Sequence, residues 1–170
     1  MSFNKIISPL KKDLGSVDNV IKNSLHSDIS IINQISSHII QSGGKRMRPI
    51  LHLLLSGLSG KISPINYKIA AIIELIHTAT LLHDDVVDQS TKRRNIISAN
   101  ILFGNSASVL VGDFIYSRSF QMMSEINNLE VMKLLSNATN TISEGEILQL
   151  LNIHNPNIDE KEYFKVIEFK

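Results

Sequence analysis

Cysteine and tryptophan are both missing from this 170-residue chain, proline occurs 4 times, and aromatic residues make up only 5% of it. Without cysteine there is no disulfide framework and no thiolate zinc site, which suits a reducing compartment, so the cytoplasm is the expected location. An excess of one charge is missing too: 17 Lys and Arg face 16 Asp and Glu, a net charge of +1. That balance excludes a nucleic-acid binder defined by overall basicity, and any phosphate site must be local. Long uninterrupted apolar runs are also lacking. The richest, Ile69 to Leu82, carries Glu74, His77, Thr78 and Thr80, and is too short and too polar for an expected membrane span. Met1 to Leu10 has one Lys and a short apolar stretch, matching neither a secretory signal nor an anchor.

What is present is helical periodicity. Isoleucine is abundant, but β-branching is a weak bias and spacing is the better guide. Val17, Ile21, Leu25, Ile29, Ile32 and Ile39 to Ile40 recur at helical steps, predicting two amphipathic helices before Gly43-Gly44. Pro49 suits the first turn of a third, through Leu51 to Leu58, stopped by Gly60 and Pro64. A long helix is then expected over about Asn66 to Thr91, with Arg93 to Asn95 ending it. Further helices are expected around Ile97 to Leu102, from Ser106 to Ser124 and from Leu129 to Leu151. After the Asn155-Pro156-Asn157 turn, Asp159 should cap a last helix, Glu160 to Phe169. With no linker, repeat or low-complexity tract, residues 1–170 read as one all-α unit.

Chemistry concentrates in Leu81-Leu82-His83-Asp84-Asp85-Val86-Val87-Asp88, followed by Arg93-Arg94. On a helix Asp84 and Asp88 share one face, about 6 Å apart along the axis, while Asp85 points aside. Two such charges repel by about 0.7 kcal/mol in water and about 3 kcal/mol when partly buried, a penalty that a bound cation reverses. His77 lies on the same face, roughly 10 Å from Asp84, too far to share one ion but well placed for a neighbouring subsite. Thr80 sits one turn below Asp84, and with Ala79 it is small enough to leave space for an apolar pocket. A lone acidic turn, a core histidine or a basic helix end is the bland reading of each part; their combination favours a site.

The second cluster, Gly43-Gly44-Lys45-Arg46-Met47-Arg48-Pro49, combines permissive backbone, three cations and a helix start. It is either a basic surface turn or an anion clamp. Beside the acids, it points to a diphosphate held as its magnesium salt. Magnesium takes oxygen ligands and often uses one or two carboxylates plus substrate phosphates, whereas zinc would want more His or Cys. No side chain stands in a nucleophile motif, so the chemistry would be electrostatic.

These two clusters, with Glu74 to Leu82, Phe103-Gly104-Asn105, Val111-Gly112-Asp113-Phe114-Ile115 and Glu144-Gly145-Glu146-Ile147-Leu148-Gln149-Leu150, resemble the trans-isoprenyl diphosphate synthases, specifically the long-chain branch. The resemblance implies an isoprenoid-synthase-type helical bundle. It implies a transferase that condenses isopentenyl diphosphate with an allylic diphosphate into a long all-trans polyprenyl diphosphate of octaprenyl type, a quinone side-chain precursor. On that resemblance Asp84 and Asp88 hold Mg2+ with Asp85 in support, and Arg93 and Lys170 contact the allylic diphosphate. Lys45, Arg48, His77 and Arg94 hold the isopentenyl diphosphate. Ala79 and Thr80 stand where short-chain members carry bulky aromatics, implying a deep chain-length pocket, with Phe120, Met122 and Met123 as possible floor or ordinary core.

Two departures stand out. Asn95 takes the place of a family glycine after the arginine pair, and the sequence stops at Lys170, where the family carries a Lys-Thr pair and then a second aspartate-rich motif. The resemblance therefore implies the N-terminal half of one synthase domain, paired with a complementing C-terminal half or a second copy. The competing readings are an inactive or partner subunit of such a synthase and, well behind, a metal phosphohydrolase built on His83-Asp84. The latter leaves the glycine-lysine-arginine cluster unexplained and needs His83, about 100° round the helix from Asp84, to turn toward the metal.

Overall fold

The computed structural model describes Lys5 and residues 7–170; Met1 to Asn4 and Ile6, which carry part of the reading of the first ten residues, lie outside the described residues. After a 3₁₀ turn at Ser8–Leu10 come α1 (Lys11–Ser24), α2 (Ser30–Gln41), α3 (Met47–Ser59) and α4 (Pro64–Val87). A hairpin of β1 (Lys92–Arg93) and β2 (Ile96–Ile97) follows, then α5 (Ala99–Phe103), α6 (Asn105–Ser124), α7 (Leu129–Leu151) and α8 (Glu160–Phe169). The chain divides into two compact units, Met1–Ile126 and Asn127–Lys170.

In the first unit α4 is the central helix, packed against α1, α3, α5 and α6. Pro64 opens it with the fixed φ a first turn needs, and the Ser63 amide donates to Asn66 Oδ1 at 2.9 Å. Asn66 Nδ2 in turn donates to Ser56 Oγ at 3.1 Å, fastening α4 to the end of α3. Ala70, Ala71, Ile72, Leu75, Ala79 and Leu82 are all buried, and the alanines among them keep the helix slim where neighbours cross it. On α6, Val111, Ile115, Ser119 and Met122 recur at helical spacing and are buried as well. Gly112 is required there because a Cβ at that position would collide with the His83 imidazole.

At 24 residues, with a mean hydropathy of 1.2 over its best window, α4 is long and apolar enough to cross a membrane by those two criteria. The helix reaches those values because it extends beyond the Ile69 to Leu82 run at both ends. Half of the window is buried inside the fold, so its apolar content is already used in packing on several sides.

The long helix also stops earlier than Thr91. Asp88 is its C-cap, and Gln89 adopts a left-handed φ of 51°. The Gln89 amide then donates to Val86 O at 3.2 Å and the Ser90 amide to Asp85 O at 2.9 Å. Those two bonds are a Schellman closure, which satisfies terminal carbonyls by turning the chain back. In place of an irregular end, Arg93 pairs with Ile96 and Lys92 with Ile97. The two linking residues, Arg94 and Asn95, have φ values of 50° and 69°, the paired left-handed geometry of a type I′ turn. Asn95 thus stands where a glycine is favoured, and asparagine is the side chain that best tolerates it. His38 Nε2 donates to Ile97 O at 2.8 Å, tying the hairpin to α2.

The second unit contains α7 and α8. Asn128 Oδ1 caps α7 by accepting from the amides of Glu130 and Val131, and Asp159 Oδ1 caps α8 by accepting from Glu162 at 2.7 Å. A Cβ on Gly145 would lie 2.9 Å from the Phe169 carbonyl carbon, so the glycine admits the end of α8.

The left-handed positions Gln89 and Asn95 make opposite predictions in urea denaturation of the chain. Gln89→Gly should raise stability by up to about 1 kcal/mol, whereas Asn95→Val should lower it by about 1 to 2 kcal/mol. Equal and negligible effects would contradict the turn assignments.

Candidate functional site

The loop between α2 and α3 sets the first wall of the site. Gly43 has a φ of 76°, and Arg46 takes φ 50° and ψ 37° as the N-cap of α3. The first α3 bond runs from the Ile50 amide to Arg46 O at 3.0 Å. The helix therefore begins at Met47, slightly before the position expected from Pro49, and the proline falls in the first turn where its missing N–H costs nothing. Lys45 and Arg48 flank this start and are exposed.

Across from the loop, one face of α4 presents Glu74 and His77, and the hairpin presents Arg94. Together Gly44, Lys45, Arg46, Met47, Arg48, Glu74, His77 and Arg94 enclose a cavity of about 470 Å³. Lys45, Arg48, His77 and Arg94, assigned to one diphosphate in the sequence analysis, thus line a single cavity. Gly44 admits Arg94: a Cβ there would strike the guanidinium. The His77 imidazole is pushed down to a pKa of about 4, first by burial and then by the charges of Arg48, Arg94 and Arg93. It is neutral at pH 7, in a surrounding field that favours an anion.

Glu74 was given no role in the sequence analysis and Arg46 only a share in the three-cation cluster, yet the two meet inside this cavity at 2.9 Å between Nη1 and Oε1. They are 28 residues apart, beyond any local spacing rule. The available signal was Glu74 itself, an acid inside an apolar helical run, which requires a cationic partner.

The acidic motif is divided by the helix. Asp85 is 0% exposed, and both of its oxygens accept from Arg93, at 2.8 Å from Nε and 2.6 Å from Nη2. Its carbonyl accepts from Asn100 Nδ2 at 3.0 Å as well as from Ser90. Asp85 is thus tied through both oxygens to Arg93, eight residues further along the chain. Arg93 is held above its ordinary pKa by the bond to Asp85, against the opposing effect of burial, with the charges of Asp85, Asp84 and Asp88 adding to it.

Asp84 is half-buried and Asp88 is exposed at the end of α4. Among the described residues, no group of three or more His, Asp or Glu gathers into a metal cage. Two carboxylates one turn apart do not make a closed protein site, but they fit a cation that keeps waters and completes its shell with phosphate oxygens. His83 is directed elsewhere: its Nε2 donates to Val109 O at 3.2 Å and lies 3.3 Å from Asp113 Oδ1. It fastens α4 to α6, which removes the ligand that a His-Asp phosphohydrolase centre would require.

Ala79 is fully buried, and Thr80 Oγ1 donates to His77 O at 2.8 Å. Met122 and Met123 are core residues, and Phe120 stacks at 5.1 Å on Tyr116. In the second unit Lys170 Nζ bonds Glu146 Oε2 at 2.8 Å and Gln149 Oε1 at 2.7 Å.

Residues 29–170 match the sequence pattern of the polyprenyl synthetase family. The chain belongs to the polyprenyl synthetase family. It is 48% identical over all 170 residues to the octaprenyl diphosphate synthase of Escherichia coli (strain K12), of which it covers 53%. It is 40% identical to the all-trans-nonaprenyl-diphosphate synthase (geranyl-diphosphate specific) of Rhodobacter capsulatus, covering 97% of this chain and 51% of that protein. Among solved structures, the polyprenyl synthase of Caulobacter crescentus CB15 complexed with calcium and isoprenyl diphosphate superposes with a TM-score of 0.95 at 39% identity. That match covers 99% of this chain and 52% of that one. This polyprenyl synthetase chain therefore has the isoprenoid-synthase helical fold and spans about half the length of the relatives it matches.

Two measurements test the site's electrostatics. Asp85→Ala should cost about 3 to 5 kcal/mol in urea melts by leaving Arg93 unpaired, whereas Asp88→Ala should change stability by less than about 0.5 kcal/mol. The depressed His77 pKa means the folded chain binds fewer protons than the unfolded one between about pH 4 and the ordinary 6.5. His77's contribution should therefore fall as pH drops through that window and level off below it. His77→Asn should flatten that part of a stability-against-pH curve.

Proposed function

We propose that this chain supplies the first half of a trans-polyprenyl diphosphate synthase, a transferase that joins isopentenyl diphosphate to an allylic diphosphate. The observation that carries the reading is the cavity formed by Lys45, Arg48, His77 and Arg94, on the same helix as Asp84 and Asp88. A diphosphate brings several negative charges, and charge-assisted bonds from lysine and arginine are the strong way to hold them. A neutral His77 donates a hydrogen bond to the phosphate without needing to be charged. The similarity to a synthase crystallised with calcium and isoprenyl diphosphate supports the substrate class.

Asp84 and Asp88 would hold Mg2+, and when bound the ion supplies charge neutralisation that lets an allylic diphosphate depart. Asp85 contributes by locking Arg93, whose guanidinium faces the leaving diphosphate. On this reading the allylic C–O bond breaks, the isopentenyl double bond attacks the resulting cation, and a proton leaves to the released pyrophosphate. The small side chains of Ala79 and Thr80 would leave room for a growing chain, in keeping with a long product of octaprenyl type, the class used for quinone side chains. A cytoplasmic location accords with the absence of cysteine.

A second reading is favoured by length. Because the chain covers about half of its relatives, we assign residues 1–170 to the N-terminal half of one synthase domain. It works with a complementing C-terminal half or within a dimer, and is catalytically incomplete alone.

Purified chain with magnesium should not elongate farnesyl diphosphate with labelled isopentenyl diphosphate, and should do so once the C-terminal half of the Escherichia coli relative is added. Robust turnover by the chain alone would refute the incomplete-half reading. In the complemented enzyme Asp84→Ala should remove turnover, and Ala79→Phe should shorten the product; unchanged product length would sink the pocket assignment.

A further inference from the structure

The diphosphate cavity contains an acid that simple electrostatics would exclude. Glu74 lines it among Lys45, Arg46, Arg48 and Arg94, its side chain only 7% exposed. A buried carboxylate there repels the ligand the cations attract, unless its charge serves another purpose. Its bond to Arg46 supplies one. Arg46 is a non-glycine residue in left-handed backbone, a conformation that an L-residue keeps only when its surroundings hold it. Nη1 of its guanidinium reaches Glu74 on α4, and Nε lies 3.3 Å from Asp18 Oδ1 on α1. The same residue accepts the first hydrogen bond of α3, from Ile50. Its neighbours in the chain are Lys45 on one side and, two residues on, Arg48.

We infer that Glu74 and Arg46 are a positioning pair for isopentenyl diphosphate. The buried carboxylate pins Arg46 in its left-handed turn, which aims Lys45 and Arg48 into the cavity, and neither member of the pair touches the substrate. The inference rests on the reading of this cavity as a diphosphate site. It separates the three cations of the loop by role: Arg46 faces inward to two acids, and Lys45 and Arg48 face the ligand.

The sign of one substitution decides the matter. If Glu74 were only a stray negative charge, Glu74→Gln would tighten the binding of isopentenyl diphosphate. As a positioning residue it should instead weaken binding about tenfold or more, the scale on which supporting residues act. Calorimetric titration of the chain with isopentenyl diphosphate, without metal, reads this directly. Arg46→Lys should weaken binding comparably although charge is conserved, since an ammonium cannot span Asp18 and Glu74 as the guanidinium fork does.

A second readout needs no ligand. Loss of a nearby anion should lower the His77 pKa further, whereas release of the loop carries Arg48 away and raises it. NMR titration of His77 in Glu74→Gln should therefore move toward the ordinary 6.5, and amide exchange at Ile50 should quicken. Binding equal to or tighter than wild type, or a His77 pKa unchanged or lower, would overturn the inference. Should Glu74→Gln fail to fold, Arg46→Lys is read by the same two criteria. Should the wild-type chain bind no isopentenyl diphosphate, the functional reading of the cavity fails, and the His77 titration and Ile50 exchange still judge the pair.

Discussion

Asp85 is an enclosed carboxylate whose two oxygens are both taken by Arg93, and the geometry after α4 depends on that bond. Desolvating an acid and a guanidinium costs several kcal/mol per ion, so the pair adds little net stability and its worth lies in what it specifies. It determines which residue of the following segment returns to the helix. The Asp85 carbonyl, bonded to Ser90 and Asn100, makes the same return with the backbone. Once Arg93 is docked, the type I′ turn carries Arg94 to the hairpin tip, where it lies over Gly44. One buried acid thereby joins the acidic end of α4 to the glycine loop before α3.

The same residue explains the division of labour in the acidic motif. Successive helical positions are separated by about 100°, so Asp84 and Asp85 point in different directions. Asp85 turns into the core and fixes a cation, leaving Asp84 and Asp88 on the outer face. A parallel division holds in the glycine loop, where Arg46 is turned toward Glu74 and Asp18 while Lys45 and Arg48 flank the start of α3. In both places a buried acid neutralises and immobilises one arginine of a basic cluster. The directions of Arg46 and Arg93 are thereby set by the acids they meet.

Much of this was legible in the sequence because it is periodic or local. Both helices of the second unit, Leu129 to Leu151 and Glu160 to Phe169, begin and end at the expected residues. The face shared by His77, Asp84 and Asp88 follows from helical geometry alone. The end of α4 was not legible: Gln89, Arg94 and Asn95 occupy left-handed backbone without a glycine to announce it, and strands of two residues are too short to show alternation. The pairings of Asp85 with Arg93 and of Glu74 with Arg46 are decided by tertiary approach. A sequence reports that a buried acid needs a partner, but not which of several nearby arginines supplies it.

Surface chemistry carries the last step. Leu51, Leu55 and Leu58 follow one another at helical spacing on α3 and are 53%, 62% and 84% exposed. In the second unit Ile153, Ile158, Tyr163, Val166 and Ile167 line an open, mostly apolar groove. Scattered apolar residues are ordinary on a protein surface, but an ordered stripe and a groove are sites where packing is incomplete. A helical bundle buries each apolar stripe against another helix. A chain that exposes such faces in each of its units, and spans about half the length of its relatives, carries apolar surface that a helical bundle ordinarily covers with a further helix.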